Sequence, residues 1–260
     1  MKVLIFETAQ EAVDRTAQKI VEQVQAKPDS TLGLATGGTM PPVYGQMIHS
    51  YQNGEVSFAK ATTFNLDEYI GLPPSHPCSY HDFMDQTLFG KTDFDPSRTH
   101  LPCGDAKDPE QEALRYDAQI TAQGSIDLQL LGLGQNGHVG FNEPTSSFGS
   151  RTRIKTLTQS TRDANQRYFA KGEEPPKLAI TVGIQTILES REIVLLATGT
   201  SKADAVAAMI EGPMGAFCPA TALQLHPKTT IILDTQAASA LKLRDYYSLV
   251  HPAGQETPIA

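Results

Sequence analysis

The sequence predicts an α/β fold built on a mostly parallel sheet, and three observations predict it. Apolar runs of strand length recur along the 260 residues. Stretches with helical periodicity separate them. The runs are continuous rather than alternating, as expected of strands buried on both faces. Strand–helix alternation of this kind implies βαβ units.

Taken in order, the first strand is expected at Lys2–Phe6, followed by a helix over Ala9–Gln25, where Ala12, Ile20 and Val24 share a stripe. A second strand is expected at Leu32–Ala35, and the prolines Pro41 and Pro42 after it suit the first turn of a helix, where a missing N–H costs nothing. Further strands are expected at Ala61–Asn65, Asp127–Leu133, Leu178–Val182, Ile193–Ala197 and Thr230–Leu233. Further helices are expected at Pro109–Gln123, Lys202–Glu211 and Gln236–Tyr246. The Gly/Pro clusters at Gly71–Pro77 and Glu173–Pro176 read as loops within one domain over 1–260, not as linkers. No internal repeat or low-complexity tract interrupts it.

A chain of this length buries roughly three-quarters of its unfolded surface, so the core needs neither disulfide nor metal. The formal net charge of −8 repels nucleic acid and anionic membranes at long range. An anionic metabolite remains possible where a site makes its own positive field. The three cysteines, Cys78, Cys103 and Cys218, form no CxxC pair and read as free thiols of a reducing compartment. No apolar run has the roughly twenty residues of a membrane span, and the amino-terminal run is too short for a signal peptide. The expectation is a cytoplasmic protein.

In such sheets ligands bind beyond the carboxyl ends of the strands, and four strand-end loops carry unusual chemistry. The second strand ends in Thr36-Gly37-Gly38-Thr39. Its glycines admit a ligand to backbone N–H groups at a helix start, which suits a phosphate. Alone it is an ordinary turn. The loop Thr198-Gly199-Thr200-Ser201-Lys202 strengthens the reading with hydroxyls and one cation. The spacing is neither a P-loop nor a GxGxxG, which favours a sugar phosphate over a nucleotide.

Asp67 and Glu68 lie where the third strand meets its loop. They are either a solvated turn or a general base placed beside a bound sugar, where partial desolvation raises a carboxylate's basicity. The fourth loop runs Leu133-Gly134-Gln135-Asn136-Gly137-His138-Val139-Gly140-Phe141-Asn142-Glu143-Pro144. A folded loop brings the Glu143 carboxylate onto one ring nitrogen of His138 and leaves the other for acid/base work. A metal held by this pair would need a third ligand, and no HxH, HExxH or Cys/His cluster supplies one. His49, His76, His81, His100, His226 and His251 are scattered and read as structural or surface residues.

Phe64–Tyr69, Gly132–Pro144, Ser150–Lys155 and Leu223–Lys228, in that order along essentially the whole chain, resemble the isomerising glucosamine-6-phosphate deaminases. The resemblance implies a Rossmann-like three-layer fold with a core sheet of about seven strands. It implies conversion of D-glucosamine 6-phosphate and water to D-fructose 6-phosphate and ammonia in amino-sugar catabolism, with no metal or organic cofactor. Asp67 matches the base that moves a proton from C2 to C1. His138 matches the group that opens the pyranose ring, with Glu143 and Asn136 as its relay partners. Many relatives carry Asp where Asn136 stands; an Asp would stabilise a protonated imidazole, whereas Asn can only orient it. The phosphate pocket falls on Gly38, Thr39, Arg167 and Lys202, and Arg167 lies in a segment resembling a mobile lid around 153–182. Ser146, Arg153, Lys155 and Thr156 resemble an effector pocket for N-acetylglucosamine 6-phosphate. The chain ends like the shorter, non-allosteric members, so strong allostery is not expected.

Rivals remain on the same scaffold. A 6-phosphogluconolactonase or ribose-5-phosphate isomerase would lack the long His/Glu loop. A galactosamine-6-phosphate deaminase differs by one epimeric hydroxyl. A sugar-phosphate-sensing domain would bind without turnover and would normally carry a DNA-binding module, which is not expected here with the first strand placed at Lys2–Phe6. The sequence leaves open whether the protein is a monomer or a homo-oligomer.

Overall fold

In the computed structural model, residues 1–256 are described; 257–260, the end of the expected domain, lie outside the described residues. The first helix follows its strand directly: β1 (Lys2–Phe6) leads into α1 (Ala9–Ala26). Thr8 and Glu11 bond reciprocally at its start, satisfying two otherwise orphaned N–H groups. Then come β2 (Thr31–Leu34), α2 (Met40–Gln52), β3 (Thr62–Asn65), β4 (Asp67–Tyr69), α3 (Tyr80–Thr87), β5 (Thr99–His100) and α4 (Pro109–Gln123). The second half comprises β6 (Leu128–Gly132), β7 (Arg153–Thr156), α5 (Gln159–Asn165), β8 (Leu178–Thr181), α6 (Ile184–Leu188), β9 (Ile193–Ala197), α7 (Ala203–Glu211), β10 (Thr229–Asp234) and α8 (Arg244–Val250).

Seven strands form one sheet in the order β1-β10-β9-β6-β2-β3-β5, and every neighbouring pair is parallel. Every residue of β9 and β10 is buried, which requires helices on both faces and gives three layers. A parallel sheet sends all its carboxyl ends to one edge. Because β9, β6, β2 and β3 are adjacent, the four loops singled out in the sequence emerge side by side.

Three expectations need correction. The strand at Leu178–Val182 does not join the core sheet: β8 lies antiparallel between β4 and β7 in a separate three-stranded sheet. The seventh core strand is β5, two partly buried polar residues with no apolar run to betray them. The helix expected over Gln236–Tyr246 is a series of turns followed by α8. The Asp234 carboxylate takes the N–H of Ala237, and the Glu211 carboxylate takes those of Lys242 and Leu243 at 2.8 and 2.9 Å. Side chains thus claim the donors that helical carbonyls would have used. Ala237, Ala238 and Leu241 still pack into the core, which is what produced the helical stripe.

The three cysteines are unpaired. Among the described residues no helix is long and apolar enough to cross a membrane.

Candidate active site

A cleft of about 910 Å³ opens at the carboxyl edge of the sheet. Thr36, Gly37, Gly38, Thr39, Asp67, Asn136, His138, Arg167 and Lys202 all line it. Glu143 stands behind His138 and does not reach the wall. Ser146, Arg153, Lys155 and Thr156 lie elsewhere, around β7 and the far side of the His/Glu loop.

The cradle after β2 turns on Gly37, whose φ of +91° is open to glycine and strained for other residues. Thr39 precedes α2 without using its side chain as a cap, so the hydroxyl is available to a ligand. Across the cleft, Lys202 Nζ donates to the Leu133 carbonyl at 2.7 Å, tying its loop to the start of the His/Glu loop. Burial, and then the positive charge of Arg167, push the Lys202 amine below its usual range. Half-buried Lys202 and exposed Arg167 set two neighbouring positive charges on the cleft, a local field suited to an anion in a chain whose net charge is −8.

The alternation of β4 separates the two acidic residues that adjoin in sequence. Glu68 is fully buried and accepts from the N–H groups of Tyr69, Tyr80 and His81 and from the His81 ring. It anchors the start of α3 and with it Tyr80, which lines the cleft. Asp67 faces the cleft and is 5 % exposed. Burial, and then the neighbouring Glu68 charge, push its carboxyl up to about 8, against a lowering by the Phe141 N–H. Gly140, at φ +56°, is needed beside it: a Cβ there would stand 3.3 Å from Asp67 Oδ2.

The His/Glu loop folds back on itself, with Gly134 N–H donating to the His138 carbonyl at 2.9 Å. The His138 ring lies so close over Gly134 that a Cβ there would meet ring atoms at 2.4 Å. Its Nδ1 stands 3.5 Å from Glu143 Oε2, within charge contact but without a closed hydrogen bond. Asn136 donates to that same Glu143 oxygen at 2.8 Å, and its own carbonyl accepts from the His138 N–H at 3.2 Å. Asn136 therefore orders the carboxylate and the loop rather than touching the imidazole ring. Burial raises the Glu143 carboxyl, but the facing His138 ring and its charge, with help from Thr161 and Asn136, outweigh it and bring the group to about 2. Glu143 Oε1 also accepts from the N–H and hydroxyl of Thr158, each at 3.3 Å.

Thr158 caps α5, accepting from Thr161 N–H. The segment expected as a lid thus begins on the carboxylate that backs His138. It continues over the cleft through Ser160, Thr161, Asn165, Arg167 and Tyr168 and returns through β8. Asn165 donates to the Tyr69 hydroxyl at 2.9 Å. Sequence reasoning missed Tyr80, Thr158 and Tyr168; only their three-dimensional neighbours mark them.

Ser146 is buried and donates to the Glu143 carbonyl at 2.7 Å. Arg153 Nη1 donates to Asn142 Oδ1 at 2.9 Å, while its Nη2 is buried without a partner. Among the described residues no group of three or more His, Cys, Asp or Glu is placed to hold a metal. Of the histidines read as structural, His226 is buried, with Nε2 2.8 Å from the Ser190 carbonyl.

A parallel sheet whose carboxyl edge holds Lys202, Arg167, Asp67 and His138 in one cleft fits the class of sugar-phosphate enzymes, and the comparisons make it specific. The chain belongs to the family described as glucosamine-6-phosphate isomerases/6-phosphogluconolactonase, whose model matches residues 6–232. A glucosamine-6-phosphate deaminase of Shewanella loihica is 50 % identical over 255 residues, covering 98 % of this chain and 95 % of that protein. The solved structure of a monomeric glucosamine-6-phosphate deaminase is 46 % identical with a TM-score of 0.90, covering 92 % of this chain and all of that one. The 6-phosphogluconolactonase of Trypanosoma brucei shares the fold alone, at 20 % identity and a TM-score of 0.72 over 92 % of this chain and 98 % of that one.

Proposed function

We propose that the protein is a glucosamine-6-phosphate deaminase, converting D-glucosamine 6-phosphate and water to D-fructose 6-phosphate and ammonia in amino-sugar catabolism. One observation carries the reading. A desolvated carboxylate, Asp67, and an imidazole, His138, line the same cleft as the cationic pair Lys202 and Arg167. A hexose anchored by its 6-phosphate would present its C1–C2 end to the first two.

The phosphate docks on Gly38, Thr39 and Lys202, with Arg167 closing from the lid. His138, oriented by Glu143 and Asn136, moves a proton between the ring oxygen and O1 as the pyranose opens. Asp67 takes the C2 proton and returns it to C1. The nitrogen at C2 then becomes an imine, water replaces it, and ammonia leaves. Asp67 needs basicity for the first step, and its buried setting supports that assignment. The substrate's own carbonyl and amine supply the electron sink and leaving group. Lid closure over 153–182 would exclude water while the intermediate exists.

Steady-state ammonia release from glucosamine 6-phosphate, with galactosamine 6-phosphate in parallel, tests the proposal. Binding of either sugar without ammonia would overturn it in favour of a sensing domain, and preference for the galacto epimer would reassign the substrate. The same assay with N-acetylglucosamine 6-phosphate tests the Ser146, Arg153, Lys155 and Thr156 pocket, for which little activation is expected. A sedimentation run reads the oligomeric state.

A further inference from the structure

Arg167 and Tyr168 belong to the short 3₁₀ turn that ends the α5 segment. Arg167 Nη2 donates to the Tyr168 hydroxyl at 2.8 Å, and the guanidinium carbon lies 4.8 Å from the centre of the tyrosine ring. The two side chains thus form one unit, joined by a hydrogen bond and a cation–π contact. The unit leans on the cradle: a Cβ on Gly38 would stand 2.7 Å from the Tyr168 hydroxyl oxygen and 3.2 Å from Arg167 Nη2. The Tyr168 backbone is pinned to the segment before α3, its carbonyl accepting from Cys78 Sγ at 3.2 Å.

Core packing does not account for this placement, because Tyr168 is 46 % exposed. Its hydroxyl points at the loop that the phosphate reading makes the anion seat. That hydroxyl accepts from a guanidinium, which polarises the O–H bond, and its own hydrogen has no acceptor among the described residues. A donor in that state beside a cation is suited to a phosphoryl oxygen.

We propose that Tyr168 is a substrate-binding residue, its hydroxyl donating to the 6-phosphate while it accepts from Arg167 across Gly38. The proposal rests on the reading of Gly38, Thr39 and Lys202 as the phosphate seat. It adds a neutral donor from the lid, so that part of the lid's closing force comes from the ligand's own anion.

The test is Tyr168→Phe, which keeps the ring on Arg167 and removes one oxygen from a half-exposed position. Wild type, Y168F, K202A, R167A and the R167A/Y168F double variant are compared for KM, kcat and competitive inhibition by inorganic phosphate. The expected result is a rise of about tenfold in KM and in the phosphate inhibition constant for Y168F, the scale of one hydrogen bond to a charged group, with kcat unchanged. The rise persists in the R167A background. Wild-type constants for Y168F beside a weakened K202A overturn the proposal and leave the seat intact. Loss of the effect in the R167A background makes Tyr168 a support for Arg167 and overturns the direct contact. Unaltered phosphate inhibition in K202A overturns the seat itself, and the proposal with it.

Discussion

Replacing Asp67 by Asn removes a charge and almost no volume, so its effects isolate the carboxylate. In the fold the carboxyl is pushed from 3.8 up to about 8, chiefly by burial. Between those limits the folded state holds a proton that the unfolded chain has released. Stability is therefore undiminished below about pH 4 and falls as pH rises, at about 1.4 kcal/mol per pH unit, until the folded carboxyl ionises near pH 8. At 5 % exposure solvent screens little of this, and the whole span is on the order of 6 kcal/mol. Asp67→Asn escapes the loss. The gap between the variant and wild type should widen by about 4 kcal/mol between pH 5 and pH 8, or on the order of 10 °C in melting temperature for a domain of this size. Thermal melts of both proteins across pH read it, because titrating groups that are not coupled to Asp67 as Glu68 is cancel in the difference. Turnover should behave oppositely: a general base must be free of its proton, so wild-type kcat/KM should climb with a one-proton limb towards pH 8, while the Asn variant loses about 10²–10⁴ in kcat. A melting gap that stays constant from pH 5 to pH 8 would refute the desolvation argument. Near wild-type turnover in the variant would refute the assignment of the base.

Thr158→Val removes the hydroxyl that joins the proposed lid to Glu143; kcat should fall several-fold with KM less affected, and Thr158→Ser should restore it, whereas equal behaviour of the two variants discounts the bridge. Gly134→Ala drives a methyl group into the His138 ring. Ammonia release should drop at least tenfold, and a circular dichroism melt should show that the fold persists. Lys202→Met removes the half-buried cation from the proposed anion seat, raising KM for the sugar phosphate by about 10–100-fold, the scale of a charge-assisted hydrogen bond; a KM within twofold of wild type would move the seat elsewhere. Glu143→Gln should lower kcat by about tenfold or more, and it should remove the stability loss that wild type suffers as pH falls from 4.5 towards 2, where protonation breaks the carboxylate's bonds. Acid titration of both proteins by fluorescence checks this.

Local chemistry determined much of this protein from sequence alone. Continuous apolar runs dictate buried strands, and the stripe of Ala12, Ile20 and Val24 dictates the helix that follows the first of them. The glycines around Thr36–Thr39 and Gly134–Gly140 dictate loops able to approach a ligand, and the −8 charge sets a long-range repulsion towards polyanions. Strand order was not legible, because backbone pairing carries no residue-specific code. Only the tertiary structure sets β9, β6, β2 and β3 side by side, and so turns four separate loops into one cleft. It alone splits Asp67 from Glu68, since the pleat of a strand sends neighbours to opposite faces. It alone assigns β8 to the smaller sheet, because an apolar four-residue strand reads the same in either. Tyr80, Thr158 and Tyr168 carry no motif; their place at the site follows from contacts between residues distant in the chain, which burial and hydrogen bonding settle only when the whole chain is folded.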